Sequence, residues 1–159
     1  MVKLEGSCHC GAVRFSLSSH TPQPYMHCYC SICRKTTGAG GSAVNIMGDA
    51  ETLKVEGEQD MSVYRARLDD GTLSEARRHF CKHCGSALYL SDPRWPAWVY
   101  PMASAIDTPL PAPAERCHIM LGSKPAWVSV PAGAGEQHFD EYPVQSIEDW
   151  HKSRALYGS

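Results

Sequence analysis

"GSCHCGAVRF", residues 6–15, carries two cysteines one residue apart, followed by a glycine and an alternating apolar segment. "HFCKHCGSALY", residues 79–89, repeats the arrangement with two residues between the cysteines. Each pair has the spacing of a metal knuckle, a turn in which two sulfurs and nearby backbone amides face one ion. Cys8, Cys10, Cys81 and Cys84 therefore predict a closed four-cysteine zinc site of the structural type.

The other interpretation of these pairs is a redox motif or a set of disulfides. A thioredoxin-type pair lies where a strand meets a helix in a βαβ unit, and this sequence shows no such unit. Disulfides are typical of secreted chains, whereas "MVKLEGSCHC" at the start has no apolar targeting segment. Metal ligation is therefore favoured over both.

A third cysteine cluster occurs in "MHCYCSIC", residues 26–33, where Cys28, Cys30 and Cys33 are close enough to bind one ion from three sides. Catalytic zinc sites have three protein ligands and keep the fourth position for water or substrate. A second closed site, completed by His27, His9 or Cys117, is the alternative. The spacing alone does not decide between an exchangeable and a protein-derived fourth ligand.

Short alternating segments dominate the rest of the chain and predict a mostly antiparallel β domain. One good helix signal occurs near the C-terminus, in "SIEDWHKSRAL", where Ser146 and Asp149 have capping-box spacing. The proline-rich segment from Pro101 to Glu115 is expected to be a surface loop. The predicted strands are 12–17, 43–46, 53–56, 61–67, 87–90, 97–100, 118–121 and 127–130.

Length and charge exclude several functional classes. The 159 residues fit a single domain, 1–159. With 15 basic and 17 acidic residues, the net charge is −2 and no basic stripe suggests nucleic-acid binding. No segment approaches the length of an apolar membrane span. We therefore expect a soluble cytoplasmic protein with neither a nucleic-acid nor a membrane partner, and its oligomeric state stays open.

Three motifs in this order, "GSCHCGAVRF", "HCYCSICRKTTGA" and "RHFCKHCGSALY", resemble the glutathione-dependent formaldehyde-activating (GFA) family, which includes centromere-protein-V-like proteins. The resemblance runs from about residue 6 to residue 130 and ends in "HIMLGSKPAWVSV". It implies a zinc-bound fold in which two antiparallel β sheets form an incomplete barrel.

The resemblance also implies two zinc ions and an activity. Its closed site corresponds to Cys8, Cys10, Cys81 and Cys84, and its second zinc to Cys28, Cys30 and Cys33, the expected catalytic residues. The family's founding activity combines glutathione and formaldehyde into S-hydroxymethylglutathione, and it is classed with the carbon–sulfur lyases. The expected partner is thus glutathione or another small thiol. A non-catalytic zinc module for protein interaction is the alternative.

Other side chains could serve such a site. Arg34 and Lys35 follow the third cysteine motif and could receive a substrate carboxylate, or they could be a solvated turn. His79 could carry protons near neutral pH, and His118 could hold a ligand or substrate, although strand histidines more often serve packing.

Overall fold

The structure is a computed structural model that describes residues 1–20 and 25–157. Strands dominate the described residues, which also form two short α-helices and four single-turn 3₁₀ helices. The α-helices are α1 (Ser31–Thr37) and α2 (Ile147–Ser153). The strands are β1 (Val2–Ser7), β2 (Arg14–Ser19), β3 (Tyr25–Cys28), β4 (Ala43–Asn45), β5 (Gly48–Asp49), β6 (Lys54–Glu56), β7 (Met61–Tyr64), β8 (Arg77–Cys81), β9 (Ala87–Ser91), β10 (Trp98–Pro101), β11 (Arg116–Ile119) and β12 (Glu136–His138).

Two of the sheets are antiparallel. The first has the order β1-β2-β6, and the second has the order β5-β10-β9-β8-β7. In the first, alternate side chains turn inward, so that Leu4 of β1 lies directly opposite Leu17 of β2 and both are buried. Burying each of these leucines contributes roughly 1.5–3 kcal/mol.

The third sheet, with the order β12-β11-β3-β4, is mixed. Strand β11 runs parallel to both β3 and β12, whereas β3 and β4 are antiparallel. The expectation of two antiparallel sheets was therefore wrong: the described residues form three sheets, and these do not close into a barrel. The parallel pairs arise because long connections separate β3, β11 and β12, which lets the chain return in the same direction.

One core joins the three sheets. Leu17 of the first sheet, Leu88 and Val99 of the second, and Met26 and Ile119 of the third belong to a single cluster of buried side chains. The cysteines Cys8, Cys28, Cys33 and Cys81 belong to the same cluster. Each predicted metal site thus takes two of its ligands from the core.

The C-terminal helix was predicted correctly. The Oγ atom of Ser146 accepts a hydrogen bond from the backbone N–H of Asp149 at 3.0 Å, and Trp150 on the helix is buried. The segment 127–130 was predicted wrongly as a strand. Its Val128 N–H is bonded to the carbonyl of Pro125 at 3.1 Å, because the flanking prolines favour a turn.

Candidate metal centres

The first cysteine cluster brings together two distant turns. Cys8 and Cys10 follow β1, while Cys81 ends β8 and Cys84 precedes β9. The four sulfurs lie within 4.8 Å of one another. The closest approaches are 3.5 Å between Cys8 and Cys10 and 3.7 Å between Cys10 and Cys81. Four thiols converging on one point match the donor set of a structural zinc site.

Each turn uses a glycine in the left-handed conformation. Gly11 has φ = 77° and Gly85 has φ = 75°. Their N–H groups donate to the carbonyls of Cys8 at 3.0 Å and Cys81 at 2.9 Å, which closes each knuckle. No atom lies within 4 Å of a Cβ built at either glycine, so the conformation rather than space favours glycine there.

Hydrogen bonds to sulfur favour the thiolate forms of Cys8 and Cys84 in this cluster. The backbone N–H of Val13 donates to the Sγ atom of Cys8 at 3.2 Å, and the Oγ atom of Ser86 lies 3.2 Å from the Sγ atom of Cys84. The Ser86 contacts lower the pKa of Cys84 to about 5. A thiolate of this kind is the form that binds a metal ion.

The second cluster contains Cys28, Cys30 and Cys33, whose sulfurs also lie within 4.8 Å of one another. Cys28 ends β3, Cys30 is the N-cap residue of α1 and Cys33 lies in its first turn. The N–H of Cys33 donates to the Sγ atom of Cys30 at 3.3 Å. Hydrogen bonds from the Cys28 and Cys33 thiols lower the pKa of Cys30 well below its ordinary value, and the partner Cys28 has a raised pKa.

Access to this triplet is limited. Cys28 is 5% exposed and Cys33 is 6% exposed, whereas Cys30 is half-buried. Within residues 1–20 and 25–157, no histidine, cysteine, aspartate or glutamate joins the three sulfurs as a fourth donor. The triplet can thus supply three sulfur ligands to one ion, through the same thiol chemistry as the first cluster.

The three candidate fourth ligands lie elsewhere. His27 and Cys28 are consecutive in a strand, so their side chains point to opposite faces of the sheet. The Nδ1 atom of His27 is 3.5 Å from the Oγ atom of Ser42. Cys117 is buried, and its thiol donates to the Oε1 atom of Gln137 at 3.8 Å. His9 is exposed in the first cluster's turn. None of the three belongs to the three-sulfur group.

A buried polar network adjoins the triplet, and sequence reasoning missed most of it. The Oη atom of Tyr29 lies 2.9 Å from the Nδ1 atom of His118, whose Nε2 atom lies 2.7 Å from Oε2 of Glu136. The other oxygen of Glu136 accepts from Nη1 of Arg116 at 2.6 Å. The signal available in the sequence was the position of Tyr29 between two cysteines; nothing local indicated Glu136.

A polar cleft of about 420 Å³ opens between α1 and the turn after Cys84. Arg34 and Lys35 line one wall, and Ser86 and Ser104 contribute hydroxyl groups. The Nε atom of Arg34 is buried and has no hydrogen-bond partner among the described residues. These groups have the chemistry that would receive a carboxylate.

His79 does not lie with the triplet. It lines a separate cavity of about 230 Å³, stacks on Tyr89 with ring centroids 4.3 Å apart, and its Nε2 atom is 2.9 Å from the Oγ atom of Ser91. Burial, and secondarily the charge of Arg77, lowers its pKa to about 4. The hypothesis that His79 carries protons near neutral pH is therefore not supported.

None of the helices formed by the described residues has the length and apolar character that crossing a lipid bilayer requires.

Comparisons with known proteins place the chain in a family. The model of a family described as "Glutathione-dependent formaldehyde-activating enzyme" matches residues 3–123. A Halomonas elongata protein named "Putative glutathione-dependent formaldehyde-activating enzyme" is 55% identical over 153 residues, which cover 96% of this chain and 97% of that protein. A crystal structure of a Rhodobacter sphaeroides protein has the same fold, with a TM-score of 0.54 and 23% identity over 67% of this chain and 91% of that one. The chain therefore belongs to the glutathione-dependent formaldehyde-activating family.

Proposed function

We propose that this protein is a zinc-dependent carbon–sulfur lyase of the S-(hydroxymethyl)glutathione synthase type. Cys8, Cys10, Cys81 and Cys84 would hold a structural zinc ion, and the triplet of Cys28, Cys30 and Cys33 would hold a second one with an exchangeable fourth ligand. The substrates would be glutathione, or another small thiol, and an aldehyde. Family membership supports the choice of substrates.

The observation that carries the proposal is the incomplete donor set of the triplet. Three sulfurs lie within 4.8 Å of one another, and no fourth donor of the usual types joins them in the described part of the chain. The same chain holds a four-sulfur cluster of the closed type. A site with four protein ligands suits a structural ion, and a site with three suits a reactive ion whose fourth position is exchangeable.

The reaction would join the thiol sulfur to the aldehyde carbon. The C–S bond forms as the carbonyl π bond breaks, and the thiol proton ends on the new hydroxyl oxygen; the reverse direction is the lyase reaction. A bound zinc ion supplies a lowered thiol pKa and Lewis acidity at a carbonyl. The protein itself would orient the thiol substrate, and Arg34 and Lys35 in the cleft beside α1 would hold its carboxylates.

Metal stoichiometry and glutathione binding test this proposal together. The wild-type protein should contain two zinc ions per chain, and X-ray absorption should show one additional sulfur ligand when glutathione is added in excess. The Cys30→Ala variant should fold, keep one zinc ion and lose thiol binding, whereas Cys117→Ala, which removes a buried thiol outside both clusters, should behave like wild type. Unchanged glutathione binding in Cys30→Ala would contradict the proposal.

Turnover requires its own measurement, because thiols add to formaldehyde without a catalyst. Exchange between free and adduct glutathione can be followed by NMR at equilibrium. The wild-type protein should accelerate this exchange above the protein-free rate, and Cys30→Ala should not.

The burial of Cys28 and Cys33 favours a second candidate function, a non-catalytic zinc module for protein interaction. In that case both ions would have four protein ligands or an inert fourth ligand. Two firmly held zinc ions, with no sulfur added on exposure to glutathione and no accelerated exchange, would favour this module over the lyase.

We also propose a cytoplasmic location. All eight cysteines are unpaired, and reduced thiols persist in the compartment that also holds reduced glutathione.

We further propose that residues 1–159 form a single domain.

A further inference from the structure

We infer that His118 and Glu136 are positioning residues for the cysteine triplet: they anchor Tyr29, and Tyr29 fixes the turn between Cys28 and Cys30. The inference rests on the proposed function, because it assumes that the triplet binds a metal ion. It goes beyond the three cysteines by assigning a role to side chains that contact no sulfur.

Tyr29 is held at both ends. Its backbone N–H donates to the carbonyl of Ile119 at 3.0 Å, and its hydroxyl group is bonded to the Nδ1 atom of His118 at 2.9 Å. The residue is 3% exposed. Because Cys28 and Cys30 are its immediate neighbours, a fixed Tyr29 restricts the backbone from which both sulfurs project.

The partner of Tyr29 is itself fixed. His118 is fully buried, and its Nε2 atom lies 2.7 Å from Oε2 of Glu136. The hydrogen bond from His118, followed by that from Arg116, lowers the pKa of Glu136, so this side chain is a carboxylate at neutral pH and can only accept. Glu136 therefore accepts from Nε2 of His118 and from Nη1 of Arg116, which fixes the orientation of the imidazole ring that Tyr29 contacts.

Strand register keeps this network away from the sulfurs. His118 pairs with His27 and stands on the same face of the third sheet, while Cys28 points to the other face. The rings of His27 and His138 lie 5.0 Å and 5.2 Å from the His118 ring and enclose it. The network thus touches none of the sulfurs through its own side chains on this face, and the backbone of Tyr29 links it to Cys28 and Cys30.

Residues that orient metal ligands without touching the ion commonly change metal affinity by about ten- to a hundredfold when they are replaced. We expect this loss for Tyr29→Phe, which removes only the hydroxyl group, and for Glu136→Gln, which removes the charge that fixes the His118 ring. The four-cysteine cluster in the same molecule should keep its affinity. It serves as an internal control.

The test is competition between the zinc-loaded protein and chelators of graded affinity. The Cys30→Ala variant identifies the zinc that belongs to the four-cysteine cluster, and Cys117→Ala controls for a buried change in β11, the strand that carries His118. Replacement of the second ion by Co²⁺ adds a spectroscopic readout, since the thiolate-to-cobalt absorption depends on ligand geometry. We expect that absorption to shift in Tyr29→Phe and Glu136→Gln, but not in Cys117→Ala.

The outcomes separate the two proposals. If the wild-type protein holds two zinc ions but neither variant changes the affinity or the cobalt spectrum of the triplet, the positioning role is wrong and the proposed function stands. Equal loss at both clusters would also overturn the positioning role, because it would indicate general destabilisation. A wild-type protein that binds no ion at the triplet would contradict both.

Discussion

The Sγ atoms of Cys10 and Cys81 lie 3.7 Å apart, although 71 positions separate the two residues in the chain. Cys10 lies in the turn between β1 and β2 of the first sheet, and Cys81 ends a strand of the second, so an ion between them would join two sheets. A metal that binds only the folded state adds its binding free energy to the stability of the protein. The first cluster should therefore stabilise the whole fold.

Replacing Cys81 should accordingly destabilise the protein strongly. Cys81 is fully buried, and Cys81→Ala removes one of four ligands; we expect a loss of more than about 4 kcal/mol in the free energy of unfolding. Cys117→Ala also truncates a buried cysteine but leaves both clusters intact, and should cost about 1 kcal/mol. Thermal unfolding followed by circular dichroism, with and without a chelator, compares the two. Equal losses would show that the first cluster adds no stability of its own.

The glycine at position 57 should be required by a close contact as well as by its conformation. Gly57 has φ = 76°, and a Cβ there would lie 1.9 Å from the carbonyl oxygen of Ala12, in the turn after Cys10. Gly71 has a similar φ of 85° but no atom within 4 Å of a Cβ. We expect Gly57→Ala to lower the free energy of unfolding by at least about 2 kcal/mol more than Gly71→Ala. Both variants strain the left-handed conformation, but only at position 57 does the new Cβ also force the backbone of Ala12 to shift. Urea unfolding of the two variants measures this difference; similar free energies would contradict it.

Much of the fold and of the candidate site could be predicted because it depends on local pattern. The cysteine spacings predicted which thiols meet. Alternation predicted β2 and β9 but not β1 and β8, which are of similar length. Helix α1 was missed because its N-cap is the sulfur of Cys30 rather than an oxygen side chain. The parallel pairing of β11 with β3 and β12 was missed because it depends on non-local contacts, and Glu136 gains its role only from that pairing.

The ion pair between Arg154, at the end of α2, and Glu115 should contribute more to stability than the pair between Lys152 and Glu148 within α2. Arg154 donates from Nε to Oε1 of Glu115 at 2.9 Å and from Nη2 to Oε2 at 2.7 Å, which ties the end of α2 to the segment before β11. Lys152 pairs with Glu148 one turn away and is exposed. Lysine does not reproduce a two-point contact, so Arg154→Lys should cost about 1 kcal/mol, whereas Lys152→Gln removes a solvent-screened pair and should cost less. Urea unfolding at low and high salt measures both losses, and an equal loss in the two variants would argue against a special role for the two-point pair.

The buried imidazole of His151 should make the fold sensitive to acid. His151 is fully buried on α2, and neither ring nitrogen has a hydrogen-bond partner among the described residues. Burial, and secondarily the charge of His20, lowers its pKa from 6.5 to about 4. Between these two values the unfolded chain binds a proton that the folded chain does not, so the contribution of this group to stability is lost as the pH falls through that window.

Replacing the ring by an apolar side chain of similar volume should remove this sensitivity. His151→Met should raise the free energy of unfolding by about 1 kcal/mol at pH 7.5, since it removes a buried polar group without partners. The gain should be larger at pH 5, because wild type alone loses stability from this ring. Urea unfolding at the two pH values gives the difference between variant and wild type, in which acid effects on the cysteines cancel. A His151→Met gain that is the same at pH 7.5 and pH 5 would show that this ring is not the acid-sensitive group.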